Sequence, residues 1–411
     1  MGKSEVNGKK KMNPALRVCL TILVALIALV VVLAIVVACV WNKEIKTISS
    51  IQKISPSSQS DTKPVYYMEY EGDFWFDDFI SQGGVSCNED LLNFIVGKLS
   101  RGLYTPNMEK GDMKLGCTTF TSQTADSSWL YARNYDFAQA PVCILKTNPG
   151  NGKHKTLSVL DTSKFGVSLK DSNDLSLKDK FMLLASPYAT MDGMNDAGVS
   201  VAILMTRQGK DFSNPEAQGI GTDIYSDKMD LTASSFQRTI LEQASSVEDA
   251  IKIAENCDMH EFENSSFHYH VADASGKSAI IEWAGTTNDT DKDPGARKIN
   301  ITYPNAGDNF QVASNYITKA GYYPGGIPYG FDRYINVYNK LSPSNGIVSN
   351  VDEAMNILSG VGRKTHASEF AGDVDEVTLW SVVYDLTNKT MTLIDNEMYS
   401  DPAHKIEYTL D

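Results

Sequence analysis

Cys117 is the residue of this sequence whose surroundings most clearly suggest chemistry. It lies in the run GCTTF (116–120), and the run ARNYDF (132–137) follows a polar stretch. A cysteine thiol is a strong nucleophile, but at neutral pH it is mostly protonated and needs a base nearby. If the chain is cut before Cys117, the new α-amine is that base, because its reference pKa of about 7.7–8.0 lies near neutral pH. The pattern therefore indicates nucleophilic catalysis by a cysteine that becomes an N-terminus.

Arg133 and Asp136 are the charged residues that a hairpin would bring beside Cys117. Residues 117–121 and 129–136 have strand character and flank a polar turn at 125–128, which is a hairpin pattern. We expect Asp136 to hold the α-ammonium group and Arg133 to stabilise the thiolate. The alternative is a buried structural cysteine near a surface Arg–Asp pair.

The elements that must position these residues are predominantly hairpins and amphipathic helices. A strand is predicted at 198–205, and strand pairs are predicted at 267–272 with 278–283 and at 378–385 with 390–394. Helices are predicted at 90–99, 231–244, 246–256, 332–341 and 351–358. Because hairpins replace strict β-α-β alternation, the pattern indicates antiparallel sheets with helices packed outside.

A long apolar run precedes this region. Residues 18–41 carry no charged side chain, and a helix of that length exceeds the ~30 Å hydrocarbon core of a bilayer. The basic residues Lys9 to Lys11 and Arg17 place the tail at 1–17 on the cytoplasmic side. The sequence predicts a signal anchor at 18–41, with the remaining chain extracellular or lumenal. A cleaved signal peptide and a lipoprotein signal ending at Cys39 are the alternatives.

Two segments separate the apolar run from Cys117. Residues 42–64 are polar and rich in serine, which predicts a flexible stalk. Residues 65–116 contain an aromatic cluster at 66–79 and the helical pattern at 90–99. A disordered linker lacks such aromatic content. We therefore expect a folded pro-segment at 65–116 that packs on a catalytic domain at 117–411 and stays associated with it.

The charge balance argues against one class of partner. The formal net charge is −14, and the basic residues form no stripe that alternates with aromatic side chains. An acidic surface repels the phosphate backbone. We therefore expect no nucleic-acid binding.

His268 and His270 alternate on a predicted strand and face one side, which would permit a metal pair. The neighbouring sequence has no cysteine or carboxylate cluster to complete a metal site. We therefore expect ordinary strand histidines and neither a metal nor an organic cofactor. A papain-like pair of Cys117 with His260, His268 or His270 is a further alternative, although nothing around Cys117 has the pattern of that nucleophile helix.

The runs at 116–120 and 132–137 together resemble the choloylglycine hydrolase and penicillin V acylase family. More broadly, they resemble the linear amide C–N hydrolases, which include acid ceramidase-like enzymes. The later segments DGMNDAGV (192–199), VASNY (312–316) and FDRY (331–334) are similar to family segments in the same order. The resemblance implies an α+β fold of the N-terminal-nucleophile type, in which two stacked antiparallel sheets lie between helical layers in an αββα arrangement.

The resemblance also implies a role for each matched residue. Cys117 would be the nucleophile and, through its own amine, the base, while Asp136 would orient that amine. Arg133 and Arg333 would flank the thiol, and Asn315 would donate to the oxyanion.

Three further implications concern the remainder of the site and the maturation of the chain. Asn195 is a weak candidate for substrate contact and is more simply a turn residue. An ungapped comparison places Met205 where bacterial members have a second oxyanion donor, so that donor would be a backbone N–H or another side chain. The long segment before the nucleophile resembles the branch in which a pro-chain is cut from the catalytic chain, here between Gly116 and Cys117.

The expected reaction is hydrolysis of a linear amide through an acyl-thioester on Cys117. The substrate would be a small molecule such as an N-acyl amide, a bile-salt conjugate or a compound like penicillin V. One alternative is an N-acyltransferase of the isopenicillin-N type, in which an amine replaces water. The other is a membrane-tethered binding protein without enzymatic activity.

Overall fold

The computed structural model describes residues 13–55, 62–102, 116–167, 174–209, 219–261, 265–286, 293–323, 325, 327–364 and 376–410. The α-helices of this part are α1 (Pro14–Val40), α2 (Asn42–Ser50), α3 (Phe76–Ser81), α4 (Asn88–Leu99), α5 (Leu177–Met182), α6 (Ala233–Gln243), α7 (Val247–Glu255), α8 (Phe331–Leu341) and α9 (Val351–Ser359). Its strands are β1 (Gln52–Lys53), β2 (Val65–Glu71), β3 (Gly116–Thr124), β4 (Trp129–Ala138), β5 (Val142–Asn148), β6 (Thr156–Asp161), β7 (Asp192–Asn195), β8 (Ser200–Thr206), β9 (Met229–Thr232), β10 (Cys257–His260), β11 (Ser266–Ala272), β12 (Ser278–Ala284), β13 (Lys298–Thr302), β14 (Val312–Ala313), β15 (Ile347–Val348), β16 (Glu376–Asp385), β17 (Thr390–Asp395) and β18 (Lys405–Thr409).

Most strands belong to two sheets that stack face to face. The first sheet has the order β1-β2-β5-β6-β7-β8-β11-β12-β13, and the second has the order β14-β3-β4-β16-β17-β18, with β15 beside β3. Across the interface, Thr119 and the His270 ring share a hydrogen bond of 2.8 Å, and the Tyr131 hydroxyl donates to the His270 carbonyl at 2.9 Å. The main core therefore lies between the two sheets.

Helices cover the outer faces of both sheets. α6 and α7 pack on the first sheet, and α8 and α9 pack on the second. The Phe236 ring on α6 contacts Tyr269 and Trp283, with centroid distances of 4.7 and 5.4 Å. The four layers have the order helix, sheet, sheet, helix, so the predicted αββα fold class is confirmed.

Local sequence patterns account for the elements that were predicted correctly. The three hairpins β3–β4, β11–β12 and β16–β17 are antiparallel, as expected. Helices α6, α7 and α9 begin after Thr232, Ser246 and Asn350, whose side chains accept backbone hydrogen bonds at the helix start. Such caps satisfy donors that the first turn leaves unpaired.

Within the described residues, three strand pairings are parallel, which the expectation of antiparallel sheets did not include. β2 pairs in parallel with β5, from Val65 opposite Val142 to Glu71 opposite Asn148. β15 pairs in parallel with β3, and β9 and β10 form a separate parallel pair. Parallel neighbours are joined by long connections, so hairpin patterns in the sequence do not reveal them.

The predicted pro-segment contributes a strand to the first sheet. Its strand β2 lies between β1 and β5. Downstream, Phe74 and Phe79 pack on Tyr188, with ring centroids 5.9 and 5.5 Å apart. Tyr67 of β2 stacks on Tyr408 of β18 at 4.4 Å. This segment therefore contacts both sheets, and it does more than pack on the surface of the catalytic domain.

Helix α1 contains the apolar run. Residues Leu16–Val40 have a mean hydropathy of 3.5 and are long and apolar enough to cross a membrane, although a signal sequence near an N-terminus meets the same criterion. Residues 1–12 of the predicted cytoplasmic tail lie outside the described residues.

The segment after α1 differs from the predicted flexible stalk. Residues Asn42–Ser50 form α2, in which Glu44 and Thr47 are buried. The Trp41 indole donates to the Leu99 carbonyl at 2.9 Å, and Arg101 pairs with Glu44 at 2.8 Å. These long-range contacts stabilise a helix that the serine-rich composition did not suggest. Residues 56–61 lie outside the described part.

Candidate active site

The β3–β4 hairpin determines the positions of Cys117 and Arg133. In its antiparallel register Cys117 lies opposite Tyr135, and Thr119 lies opposite Arg133. Side chains alternate between the two faces of a strand, so all four point to the interface between the sheets. The Arg133 Nη2 atom donates to the Cys117 thiol at 3.2 Å, and both side chains are fully buried. The structure thus brings together the first two predicted site residues.

Arg133 also binds the first sheet. Its guanidinium donates to the carbonyl oxygens of Met191 and Ile203, the latter at 2.8 Å. It lies 3.3 Å from a carboxylate oxygen of Asp192, which is fully buried. The sequence analysis did not include Asp192 among the site residues. Its place at the start of the matched run DGMNDAGV (192–199) was the signal that could have identified it.

Asn315 reaches the site because β14 pairs with β3. Its Oδ1 atom accepts hydrogen bonds from the Cys117 backbone nitrogen and from Arg333 Nη2, each at 2.7 Å. Its Nδ2 atom donates to the Met205 carbonyl at 2.7 Å. In the intact chain Asn315 is therefore an acceptor for the Cys117 backbone nitrogen, and Met205 contributes a carbonyl acceptor to the site.

Arg333 lies in the first turn of α8, close to both strands of the hairpin. Its guanidinium donates to the Cys117 carbonyl and to the Thr118 hydroxyl, the latter at 3.0 Å. Gly330, which precedes α8 with φ of 81°, allows this approach. A Cβ atom at Gly330 would lie 3.0 Å from the Asn315 nitrogen and 3.1 Å from Arg333 Nη2. Glycine is thus the residue that lets α8 begin beside the site.

Asp136 points to the outer face of β4, away from the face that carries the Cys117 thiol. Its carboxylate accepts from the Thr378 hydroxyl at 2.7 Å. It lies 3.5 Å from Arg333 Nη1 and 3.3 Å from Arg363 Nε. In the intact chain the Cys117 nitrogen donates to Asn315. That Asp136 holds the α-ammonium group of the cut chain stays a prediction. Arg363 and Thr378 are site residues that the sequence analysis missed.

A β-bulge in β16 directs neighbouring side chains to both faces of the second sheet. The register of β16 against β4 shifts between Thr378 and Trp380. Thr378 therefore faces Asp136 on the outer side, whereas the Trp380 ring stacks on Tyr135 at 4.1 Å on the inner side. The Trp380 indole also donates to Asp192 at 3.0 Å. Bulges often re-aim side chains next to active sites.

Burial controls the protonation of the thiol. Burial raises the pKa of Cys117 above its ordinary value, and the positive charge of Arg133 opposes this rise. The thiol of the intact chain is therefore protonated at neutral pH. Converting it into a thiolate nucleophile requires a base.

The histidines do not supply that base. Burial lowers the pKa of His270 to about 3, so its ring is neutral at physiological pH. Each candidate histidine has a hydrogen-bond partner other than Cys117: His260 contacts Asp223 (2.7 Å) and Asp230 (3.1 Å), His268 contacts Glu282 (3.4 Å) and His270 contacts Thr119 (2.8 Å). These contacts do not fit a papain-like Cys–His pair. Within the described ranges no three His, Cys, Asp or Glu side chains are grouped so that they could hold a metal ion.

The structure gives Asn195 a role in a turn. Its Nδ2 atom donates to the carbonyl oxygens of Leu241 and Ala244 at 3.2 and 2.8 Å, at the end of α6. Its Oδ1 atom accepts from the backbone nitrogens of Ala197 and Val199 at 3.1 and 3.0 Å. These backbone contacts of a buried side chain fit the interpretation of Asn195 as a turn residue, and its contact with substrate stays a weak prediction.

The sequence matches a family model over residues 117–287, described as linear amide C-N hydrolases, choloylglycine hydrolase family. Over these residues the chain is similar to the choloylglycine hydrolase family. A search of curated proteins gave no match. The matched segment begins at Cys117 and includes Arg133, Asp136 and Asp192.

Three solved structures are similar to this chain at low sequence identity. A mutant conjugated bile acid hydrolase from Clostridium perfringens is 16% identical, with a TM-score of 0.45 over 72% of this chain and 97% of that chain. Penicillin V acylase from Agrobacterium tumefaciens is 17% identical, with a TM-score of 0.42 over 68% and 83%. A Caenorhabditis elegans N-acylethanolamine-hydrolyzing acid amidase ortholog is 13% identical, with a TM-score of 0.40 over 72% and 100%.

Proposed function

We propose that this chain hydrolyses a linear amide with Cys117 as an N-terminal nucleophile, exposed by self-cleavage after Gly116. The observation that carries the proposal is the buried Arg133 guanidinium 3.2 Å from the Cys117 thiol. Burying a guanidinium is costly unless charged or polar partners compensate it. A cysteine that only fills space in the core would not require a buried guanidinium beside its thiol. The family match, which begins at Cys117, supports the same division of the chain.

The self-cleavage step uses the groups on either side of the Gly116–Cys117 bond. The Cys117 thiol attacks the Gly116 carbonyl carbon, the C–N bond breaks, and the nitrogen of Cys117 takes the thiol proton. Water then hydrolyses the thioester, which yields a Gly116 carboxylate, a free thiol and a free α-amine. Glycine leaves the attacked carbonyl uncrowded because it has no side chain.

In turnover, the new α-amine accepts the thiol proton, and the thiolate attacks the substrate carbonyl. The ammonium group then protonates the leaving amine, and water releases the acid from the acyl-thioester. We assign stabilisation of the thiolate to Arg133. For Asn315 to bind the oxyanion, its Nδ2 atom must exchange the Met205 carbonyl for the substrate oxygen, and such a donor is worth about 3 kcal/mol in the transition state.

We also propose that the anchor at 18–41 stays with the pro-segment at 65–116 and that the catalytic chain at 117–411 remains bound without a covalent link. β2 and β3 lie in different sheets, and the cut follows Gly116, the first residue of β3, so β2 and the remainder of β3 stay paired. Membrane fractionation of the full chain, with protease added from outside, tests the anchor. Mature protein free in the medium that begins near residue 42 would indicate a cleaved signal instead.

The substrate class is tested by assaying the processed protein on conjugated bile salts, penicillin V, N-acyl amino acids, N-acylethanolamines and ceramide. Release of a free acid from at least one class, and none by the Cys117→Ala variant, is the expected result. Cys143→Ala is the matched control, because Cys143 is another fully buried thiol. A competing amine that captures the acyl group would reveal a transferase. Absence of both products and of cleavage would favour a binding protein.

A further inference from the structure

Glu282 is a buried carboxylate that no step of the proposed mechanism uses. It lies on β12, opposite His268 of β11 and Asn300 of β13. Its side chain is fully buried. A buried carboxylate needs hydrogen bonds that replace those of water, so the donors around it show which part of the fold it stabilises.

Most of these donors come from one short segment after β14. The Thr318 backbone nitrogen lies 3.0 and 3.1 Å from the two carboxylate oxygens, and the Thr318 hydroxyl donates at 3.0 Å. The Lys319 nitrogen donates at 2.9 Å. Within the first sheet, Asn300 Nδ2 donates at 2.9 Å, and His268 Nδ1 lies at 3.4 Å. One carboxylate therefore fixes two successive backbone N–H groups of this segment.

The segment begins at the residue that binds the nucleophile. Asn315 accepts from the Cys117 nitrogen in the second sheet. Ile317, between Asn315 and Thr318, is buried against Ala284, and its nitrogen donates to the Tyr323 hydroxyl at 3.1 Å. The stretch 315–319 thus connects the nucleophile in one sheet to Glu282 in the other.

We propose that Glu282 is a positioning residue that fixes Asn315 for the oxyanion of the reaction. This inference rests on the proposed function, in which Asn315 exchanges the Met205 carbonyl for the substrate oxygen. A donor stabilises a transition state best when it is already in place, and a misplacement of about 1 Å can cost roughly a hundredfold in rate. Loosening the stretch 315–319 should therefore lower kcat more than it raises KM.

Glu282→Gln keeps the size of the side chain but removes its charge. It also places an NH₂ group opposite N–H and O–H groups that donate to the carboxylate in the wild type. We expect kcat per titrated Cys117 thiol to fall at least tenfold while KM changes less than twofold. Glu261→Gln is the matched control, because the half-buried Glu261 carboxylate also accepts two backbone N–H groups, from Thr222 at 2.8 Å and Phe267 at 2.9 Å. An unchanged kcat in Glu282→Gln, or equal losses in both variants, overturns the proposal.

A double-mutant cycle tests whether Glu282 acts through Asn315. In the Asn315→Ala background, Glu282→Gln should lower kcat less than twofold further, because the group that it positions is gone. If the double variant loses kcat by the full product of the two single fold losses, the proposal is overturned.

Hydrogen exchange tests the same link without cleavage or turnover. In the Cys117→Ala chain, the backbone N–H at position 117 should exchange at least tenfold faster with Glu282→Gln and should not change with Glu261→Gln. Unchanged exchange in Glu282→Gln overturns the positioning role. A wild-type chain that neither cuts itself nor hydrolyses amides would instead refute the proposed function, so the two failures are distinguishable.

Discussion

The nucleophile cluster and the pro-segment contact are held together by different forces. The nucleophile cluster comprises Cys117, Arg133, Asp136, Asn315 and Arg333, and short polar contacts of buried charged groups join its members. The pro-segment contact, made by the described residues 65–102, consists of the β2–β5 ladder and of aromatic packing on Tyr188 and Tyr408. The nucleophile cluster therefore depends on a few individual contacts, whereas the pro-segment contact is distributed over many residues.

This difference indicates how each region responds to the substitution of a single side chain. Charge-assisted hydrogen bonds in a buried site depend on the exact donor geometry, so one substitution leaves a partner unsatisfied. A ladder of backbone hydrogen bonds and apolar contacts loses only a fraction of its free energy when one side chain is truncated. Cutting the chain between the two regions should therefore activate the first and leave the second assembled.

The largest effect is expected for Arg133→Lys. A lysine ammonium cannot contact the Cys117 thiol, the Asp192 carboxylate and the Ile203 carbonyl together as the guanidinium fork does. Breaking such a buried charged contact costs about 3–5 kcal/mol, so we expect kcat/KM to fall roughly a thousandfold. Arg238→Lys is the control, since Arg238 is equally buried but pairs with Glu242. Normal turnover of correctly processed Arg133→Lys protein would remove Arg133 from the site.

A buried charged pair on α6 lies beside the pro-segment contact and should respond to pH. The Arg238–Glu242 pair lies beneath Phe74, and burial raises the pKa of Glu242 from 4.5 to about 7. Between these values the folded chain keeps a proton that the unfolded chain has lost. The stabilisation is therefore complete below pH 4.5 and is lost as pH rises to 7, a change of about 3 kcal/mol.

Thermal unfolding of the uncut Cys117→Ala chain from pH 4.5 to 7.5 measures this change. The slope of stability against pH should be flatter after Glu242→Gln. An identical slope in both proteins would show that Glu242 does not titrate in this window.

A smaller loss of activity is expected for Asp136→Asn, at the outer face of the nucleophile cluster. Asp136→Asn leaves Arg333 and Arg363 without the carboxylate between them. We expect activity to fall at least about tenfold, which corresponds to about 1.4 kcal/mol. Asp395→Asn, at a buried aspartate that pairs with His404 at 2.9 Å, controls for the loss of a buried carboxylate. Equal activity of Asp136→Asn and the wild type would refute a role for Asp136.

The smallest effect is expected for Tyr67→Leu in the pro-segment contact, because leucine keeps an apolar side chain at this buried position. This change removes the stack on Tyr408 but leaves the β2–β5 ladder intact. Aromatic pairs contribute about 0.5–1.5 kcal/mol beyond the buried area, so the dissociation rate of the two chains should rise only several-fold. In the wild type, high salt should leave the chains together and denaturant should separate them. A catalytic chain that elutes alone in 1 M salt would contradict the account.

Local patterns in the sequence were sufficient for most of the fold. Strand-like runs on either side of the polar turn at 125–128 indicated the β3–β4 hairpin, and amphipathic patterns indicated α6, α7, α8 and α9. The parallel β2–β5 pairing and the helix at Asn42–Ser50 depend on contacts between residues far apart in sequence, such as Trp41 with Leu99. Neither is visible in a local pattern.

In the candidate site, too, local patterns revealed some features, and others depend on contacts between residues far apart in sequence. The hairpin spacing was enough to bring Arg133 to Cys117, and the family resemblance supplied Asn315 and Arg333. The alternation of side chains along β4 could have shown that Arg133 and Asp136 face opposite sides, and this step was missed. Arg363 follows α9, and Thr378 lies at the β16 bulge. No spacing in the sequence indicates that these two residues reach the site.

The central claim is tested most directly by determining the N-terminus of the active protein. N-terminal sequencing and intact mass should show a catalytic chain that begins Cys-Thr-Thr-Phe at Cys117 and a second chain that ends at Gly116, while Cys117→Ala should remain one chain. Active protein that is intact across the Gly116–Cys117 bond would contradict the account, because its thiol would lack the α-amine that serves as its base.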